Sequence, residues 1–170
     1  LTTDFDKIAW QTIALKKQLI ESNTRTYDSF TNFGDHLLHG DYLDHNVFFN
    51  DEDEIKYLFD FEKTGYGPRS YELFRSMIYM LFSEKIDEKA IELAKIYLDS
   101  YVKIYPMPKE ERASGLQIFY LKSIHSLWVE SEHYLKGNDR ADCFLQQDFQ
   151  RTSYLSKNRE SLGALLSQQP

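Results

Sequence analysis

Apolar residues recur at helical spacing along most of the chain, and these stretches predict about six helices. The first is predicted from Asp4 to Ile20, with Thr3 as its N-cap and Ser22 and Asn23 at its end. The others are predicted within 24–35, from Pro68 to about Phe82, from Asp87 to Pro106, from Pro108 to Gly137, and from Ala141 to about Tyr154. The chain is therefore predicted to be mainly α.

The spacing of apolar residues is no longer helical in one segment, where two short β-prone runs flank a polar turn. The runs are Val47–Phe49 and Ile55–Phe59, and the turn is Asn50–Glu54. Pairing around this turn places Asn46 opposite Leu58. Because a two-stranded hairpin is marginally stable alone, the helices must support it. The predicted fold class is mainly α (α+β), with the helices arranged around a loop and a small β-hairpin.

Three polar residues, Asp41, Asn46 and Asp60, are predicted to lie together at the open end of this hairpin. His39-x-Asp41-x-x-x-x-Asn46 has the spacing of a kinase catalytic loop. Asp60 follows the second strand, within two residues of the position opposite Asn46. Amide and carboxylate oxygens suit Mg²⁺, and transfer of a γ-phosphoryl group needs a metal and a carboxylate that takes the proton of the acceptor hydroxyl. The spacing therefore predicts a phosphoryl-transfer site.

These residues belong to three linked motifs. The motifs are His39-Gly40-Asp41…Asn46, Phe59-Asp60-Phe61-Glu62 and Gly65-Tyr66-Gly67-Pro68-Arg69-Ser70-Tyr71-Glu72-Leu73. With them, residues 37–75, about a quarter of the chain, resemble the aminoglycoside phosphotransferase and choline kinase superfamily. The resemblance implies a protein-kinase-like fold, of which this chain would be the C-terminal lobe.

The resemblance also implies a role for each motif residue. Asp41 is implied as the catalytic base, and Asn46 and Asp60 as the ligands of Mg²⁺ and, through it, of ATP. Structural support of the loop and of the helix after it is implied for three residues: His39, Arg69 and Glu72. The implied activity is the ATP-dependent transfer of the γ-phosphoryl group to a hydroxyl of a small molecule.

Departures from the protein-kinase pattern narrow this expectation. Gly40 replaces the Arg of protein kinases, Glu62 replaces the Gly of D-F-G, and no A-P-E follows, so activation-loop phosphorylation is not expected.

Only 36 residues precede Leu37, whereas the superfamily carries its glycine-rich loop and strand lysine in an N-terminal lobe. We therefore expect residues 1–170 to form a single C-terminal lobe, with the N-terminal lobe of its parent chain as partner, and to be inactive alone.

Composition and charge indicate one globular domain and limit the partners and the compartment that we expect for it. A chain of 170 residues that is 42% hydrophobic and 28% charged is typical of one globular domain. The net charge of −7 argues against nucleic acid and slightly favours a cationic acceptor. No apolar run approaches the ~20 residues that a membrane span needs. Cys143 is the single cysteine, which excludes an intrachain disulfide and makes the cytoplasm the expected compartment.

Two other interpretations stay open at this point. A zinc centre of a hydrolase would group His36, His39, Asp44 and His45, because imidazole and carboxylate bind zinc, although their order matches H-x-H-x-D-H only loosely. The second interpretation is that the chain is a catalytically silent, kinase-like binding module, in which the site residues have only a structural role. The sequence identifies neither the acceptor nor the oligomeric state.

Overall fold

The structure is a computed structural model that describes residues 3–30, 33–82 and 86–166. Its helices are α1 (Asp4–Ser22), α2 (Arg69–Leu81), α3 (Glu88–Ile104), α4 (Lys109–Ile124), α5 (Trp128–Lys136) and α6 (Leu145–Leu166). Its strands are β1 (His36–Leu38), β2 (Val47–Phe49), β3 (Ile55–Leu58) and β4 (Gly65–Gly67). The chain is mainly α with a small β component, which confirms the predicted fold class.

Contacts divide the chain into two compact units. The first consists of Leu1–Thr26 and Tyr120–Ser161, and the second of Tyr27–Phe119 and Leu162–Pro170. All the residues of the three motifs lie in the second unit. The expectation of a single lobe with a further N-terminal lobe as partner stays a prediction. Among the described residues, none of the helices combines the length and apolar character that crossing a bilayer requires.

In the first unit, α1 has the predicted ends. The Thr3 hydroxyl accepts the Asp6 N–H at 3.0 Å, and the Asp6 carboxylate accepts the Thr3 N–H at 3.1 Å, which together form a capping box. Asn23 is the C-cap. The helix packs into an apolar core formed by Ala9, Val129, Ala141 and Leu145. Local capping signals thus fix this helix as the sequence predicted.

The helix predicted from Pro108 to Gly137 is in fact two helices, α4 and α5. The chain turns between them, where the Ser126 N–H bonds to the Ser123 carbonyl at 3.2 Å. The Ser126 carbonyl accepts a hydrogen bond of 2.6 Å from the ammonium of Lys16. Because this contact joins residues far apart in the chain, the spacing of apolar residues could not reveal the break. Gly137 ends α5 in the left-handed conformation, as predicted.

The first unit also buries charged side chains. The Lys16 ammonium forms an ion pair of 2.6 Å with Asp148. Glu130 is buried, and neither of its carboxylate oxygens hydrogen-bonds to another described residue. Burial raises the pKa of Glu130, because an apolar environment disfavours the charged carboxylate.

Helix α2 supplies much of the core of the second unit. Its buried apolar residues are Leu73, Phe74, Met77 and Ile78. It packs against α3, to which the hydrogen bond of 2.6 Å between the Ser76 and Tyr97 hydroxyls joins it. Pro68, predicted as the first helical residue, is the N-cap instead, a difference of one position. The helix therefore has a fixed start and a fixed buried face.

A glycine lets α4 lie close to α2. A Cβ atom on Gly115 would be 2.5 Å from both the Ser70 carbonyl oxygen and the Phe74 Cδ2 atom. Beside this contact, the Arg69 guanidinium donates to both carboxylate oxygens of Glu111, at 2.8 and 3.0 Å. The bidentate pair anchors the start of α2 on α4.

The predicted hairpin is present, with a register shifted by one residue. Val47, not Asn46, pairs with Leu58, and a bulge lies between Phe48 and Phe49. The Asn50 side-chain oxygen accepts the N–H groups of Glu52 and Glu54 and so closes the turn. Asn46 lies opposite Phe59, whose N–H donates to the Asn46 carbonyl at 3.0 Å. The hairpin therefore still brings Asn46 beside the segment that contains Asp60.

A second antiparallel sheet was not predicted. Strand β1 pairs with β4, with His36 opposite Gly67 and Leu38 opposite Gly65. The composition of Gly65-Tyr66-Gly67-Pro68 is typical of a loop, which conceals the pairing. This sheet brings the chain before the loop at His39–Asn46 next to the chain after Asp60.

We expect Gly115→Ala to lower the free energy of unfolding by about 1–3 kcal/mol, because the added methyl group would overlap the backbone of α2. Gly163→Ala is the matched control, since a Cβ there would lie 3.6 Å from Leu116, an ordinary contact. It should raise stability by about 0.5–1 kcal/mol through helix propensity. Denaturant unfolding measures both, and equal effects at the two glycines would contradict the close α2–α4 contact.

Glu130→Gln should stabilise the protein at pH 7 and have little effect near pH 4. The raised pKa means that the folded state favours the protonated carboxyl, so the wild-type protein loses stability as the pH rises above the unfolded-state value. The neutral amide avoids that loss. Unfolding free energies measured across this pH range test the prediction, and a pH-independent difference would contradict it.

Candidate active site

The loop His39–Asn46 is held at its start by one carboxylate of α2. Glu72 Oε2 accepts the N–H of His39 at 3.1 Å, and Glu72 Oε1 accepts the N–H of Gly40. Glu72 lies in the first turn of α2, whose start is itself anchored on α4. The loop is therefore tied to the helical core rather than supported by the hairpin alone.

Gly40 allows the segment after Asp60 to lie directly against this loop. Its φ angle is +84°, and a Cβ there would be 2.6 Å from the Lys63 carbonyl carbon and 2.9 Å from the Lys63 Cβ. Only glycine fits both the backbone conformation and the space. The short 3₁₀ turn Phe61–Lys63 is thus fixed against the loop.

His39 connects the same two segments through its ring. Its Nε2 atom lies 2.7 Å from the Phe59 carbonyl oxygen, and its Nδ1 atom accepts the Asp41 N–H at 3.3 Å. The Nδ1 acceptor role assigns the proton to Nε2, which donates to Phe59. Both ring nitrogens are used on the backbone, so the geometry is that of a brace rather than of a proton carrier.

Asn46 lies in the interior of the loop. Its Nδ2 atom donates to the Asp41 carbonyl at 2.9 Å, which orients the side chain and leaves Oδ1 as the atom suited to a metal. Asn46 is 6% exposed, so the side chain is held firmly. The loop therefore presents an amide oxygen from a defined position.

Asp60 has an unusual backbone conformation. Its φ and ψ angles of 60° and 66° lie in the left-handed region, which costs a non-glycine residue on the order of 1–3 kcal/mol. Although Asp60 precedes the 3₁₀ turn, its side chain does not cap that turn. A strained, exposed residue whose side chain does not cap the turn that follows it fits a metal-binding function.

Asn46 and Asp60 have the donor chemistry that Mg²⁺ prefers. They supply hard oxygen donors, and Mg²⁺ completes its coordination with water and substrate phosphates rather than a full protein cage. The backbone hydrogen bond between Asn46 and Phe59 keeps the two donor-bearing segments adjacent.

The proposed zinc centre is wrong. Among the described residues, no three His, Cys, Asp or Glu side chains are grouped as metal ligands. The His39 ring hydrogen-bonds to the backbone, and His45 Nδ1 lies 3.3 Å from Oδ1 of its neighbour Asp44. His36 lies on β1, outside the loop.

The Asp41 carboxylate is held between two cations. Oδ1 accepts from Arg75 Nη2 at 2.6 Å, and Oδ2 accepts from Lys63 Nζ at 2.7 Å. Burial raises the pKa of Asp41, but the hydrogen bonds and charges of Lys63 and Arg75 outweigh it and hold the pKa below its usual value. Asp41 is therefore deprotonated at neutral pH and can accept a proton.

Lys63 and Arg75 were missed by the sequence analysis. Arg75 is three residues after Glu72, so helical spacing places both on the loop-facing side of α2, which was a usable signal. Lys63 follows Asp60-Phe61-Glu62 directly, but nothing in its spacing indicates a contact with Asp41. Arg69, by contrast, contacts Glu111 and the Pro106 carbonyl, away from Asp41.

The comparison with known families gives a match over part of the chain. The model of the phosphotransferase enzyme family matches residues 5–110, more than half of the chain. The matched range contains every predicted site residue as well as Lys63 and Arg75. No curated protein and no solved structure matches the chain.

Glu72→Gln should loosen the loop, because an amide offers one oxygen where the carboxylate offers two acceptors. Leaving one loop N–H without its acceptor should cost about 1–3 kcal/mol. Hydrogen exchange at His39 and Gly40 should become faster, whereas Glu92→Gln on the exposed side of α3 should change neither amide. Unchanged protection in the Glu72 variant would show that the loop is held by other contacts.

Proposed function

This chain belongs to the phosphotransferase enzyme family, and we propose that its parent protein transfers the γ-phosphoryl group of ATP to a hydroxyl of a small molecule with the help of Mg²⁺. The observation that carries the proposal is the Asp41 carboxylate, which pairs with Lys63 and Arg75 and is fixed in the loop next to Asn46. A fixed carboxylate beside oxygen donors for a metal is what phosphoryl transfer to an alcohol requires.

Asp41 is proposed as the base. Its carboxylate accepts the proton of the acceptor hydroxyl while the hydroxyl oxygen forms a bond to the γ-phosphorus. The bond between that phosphorus and the bridging oxygen breaks, and ADP leaves with the electron pair. Arg75 holds the other carboxylate oxygen, which orients Asp41 throughout.

Asn46 and Asp60 are proposed to hold Mg²⁺, which supplies neutralisation of the phosphate charge when bound. The amide orientation of Asn46 and the left-handed backbone of Asp60 support this assignment. His39, Arg69 and Glu72 are proposed as structural residues that keep the loop and α2 in place.

The acceptor is proposed to be a small molecule, with a cationic one favoured by the net charge of −7. The proposed partner of this chain is the N-terminal lobe of its own parent protein, which would grip the nucleotide. The proposed compartment is the cytoplasm, in keeping with the single cysteine, Cys143, which is free and exposed.

Asp41→Asn should lower phosphoryl transfer by about 10²- to 10⁴-fold without loss of the fold, since a general base contributes that much. Asp60→Ala should weaken binding of the magnesium nucleotide as well. The measurement is ADP formation by the native-length protein, with choline, ethanolamine, homoserine, methylthioribose, fructosamine and aminoglycosides as acceptors.

Asp51→Asn, in the exposed turn of the hairpin, is the matched control and should leave turnover unchanged. Retained turnover in both Asp41 and Asp60 variants would defeat the proposal. A catalytically silent binding module would instead show no shift in melting temperature with Mg²⁺ and ATP, even in the native-length protein.

A further inference from the structure

The two cations that hold Asp41 differ in their surroundings. The Arg75 side chain is 16% exposed, and its guanidinium lies 5.1 Å from the centre of the Tyr79 ring, packed on α2. The Lys63 side chain is 62% exposed, although its ammonium touches a carboxylate that is only 10% exposed. Arg75 therefore approaches Asp41 from the protein side, and Lys63 from the solvent side.

The backbone of Lys63 is nevertheless fixed. It lies against Gly40 so closely that no side chain fits between them, and the Thr64 hydroxyl donates to the His39 carbonyl at 3.5 Å. A fixed backbone with an exposed, flexible four-carbon stem lets the ammonium move over a short range while its attachment point stays in place.

The Lys63 ammonium occupies the oxygen that a substrate must reach. Because Oδ1 faces Arg75 from the interior, an acceptor hydroxyl from solvent approaches Oδ2, where Lys63 Nζ lies at 2.7 Å. Lys63 must therefore leave or share Oδ2 before the hydroxyl can donate its proton to Asp41. A phosphate group arriving beside Asp41 would offer the ammonium a more highly charged partner.

We propose that Lys63 is a phosphate-binding residue that moves from Asp41 Oδ2 to the γ-phosphate of the bound nucleotide and thereby frees Asp41 for the acceptor hydroxyl. This inference rests on the proposed function. A single movement has two effects: it removes a cation from the base, and it places a cation on the phosphoryl group where negative charge must be stabilised. Lys63 thus couples nucleotide binding to the availability of the Asp41 carboxylate as a base.

The test compares dissociation constants of ADP and ATP, in the presence of Mg²⁺, for variants of the native-length protein. Lys63→Met keeps the apolar stem and removes the charge, and it should lower the preference for ATP over ADP about tenfold, the loss of one charged contact. Lys63→Arg should keep the preference, because a guanidinium also binds phosphate. Lys56→Met, at an exposed lysine of β3, is the matched control and should change nothing.

A purely structural role predicts another pattern. If Lys63 served only to hold the loop, Lys63→Met would weaken ADP and ATP equally, and the ratio of the two constants would stay at the wild-type value. That result overturns the inference, as does loss of the ATP preference in Lys63→Arg to the level of Lys63→Met. Lys63→Gln, which keeps a neutral donor for Asp41, is the second variant should the methionine variant fail to fold, and it should lose the ATP preference too.

Turnover supplies an independent readout. In a protein with measurable transfer, Lys63→Met should lower kcat at saturating ATP by about 10²-fold, because the charge is lost where the transition state needs it. A wild-type protein that binds neither nucleotide overturns the proposed function and this inference with it. A wild-type protein that binds both, with an unchanged ratio in Lys63→Met, overturns this inference alone.

Discussion

The Glu72 carboxylate is the interaction on which the rest of the site depends. It accepts both N–H groups at the start of the loop from a position in the first turn of α2, and Arg69 three residues earlier anchors that turn on Glu111. Buried residues of α2 connect the same helix to the core. The loop is therefore fixed to packed helices rather than to the hairpin alone. This attachment can hold the small polar side chains of the loop at the distances that catalysis requires.

Charge in the site is arranged from the interior outward. Arg75 lies inside, Asp41 lies at the boundary, and Lys63 lies on the solvent side. The buried carboxylate stays ionised because both of its oxygens are paired. The arrangement leaves one oxygen committed to the protein and the other available for exchange. A base of this kind is held in orientation by its inner partner while its outer partner can be displaced by substrate.

Sequence reasoning succeeded where the signals are local. The caps at Thr3 and Gly137, the hairpin and the three motifs lie within a few residues of the features they specify. It failed where contacts join distant positions. At the break before α5, the Ser126 carbonyl accepts a hydrogen bond from the distant Lys16, and the pairing of β1 with β4 joins segments of loop-like composition. Lys63 reaches Asp41 across 22 residues of chain, by a backbone approach that no spacing rule describes. Motif spacing thus places Asp41 and Asn46 in one loop, but it does not show which cations pair with the Asp41 carboxylate.

The most direct test of the site is to replace Mg²⁺ with Mn²⁺ in the native-length protein and record its amide NMR spectrum with and without ATP. Mn²⁺ prefers the same oxygen ligands and broadens resonances near it. We expect broadening that is centred on Asn46, Phe59 and Asp60, that requires ATP and that is lost in Asp60→Ala. Broadening centred on the acidic turn at residues 51–54, or broadening that Asp60→Ala leaves intact, would contradict this expectation.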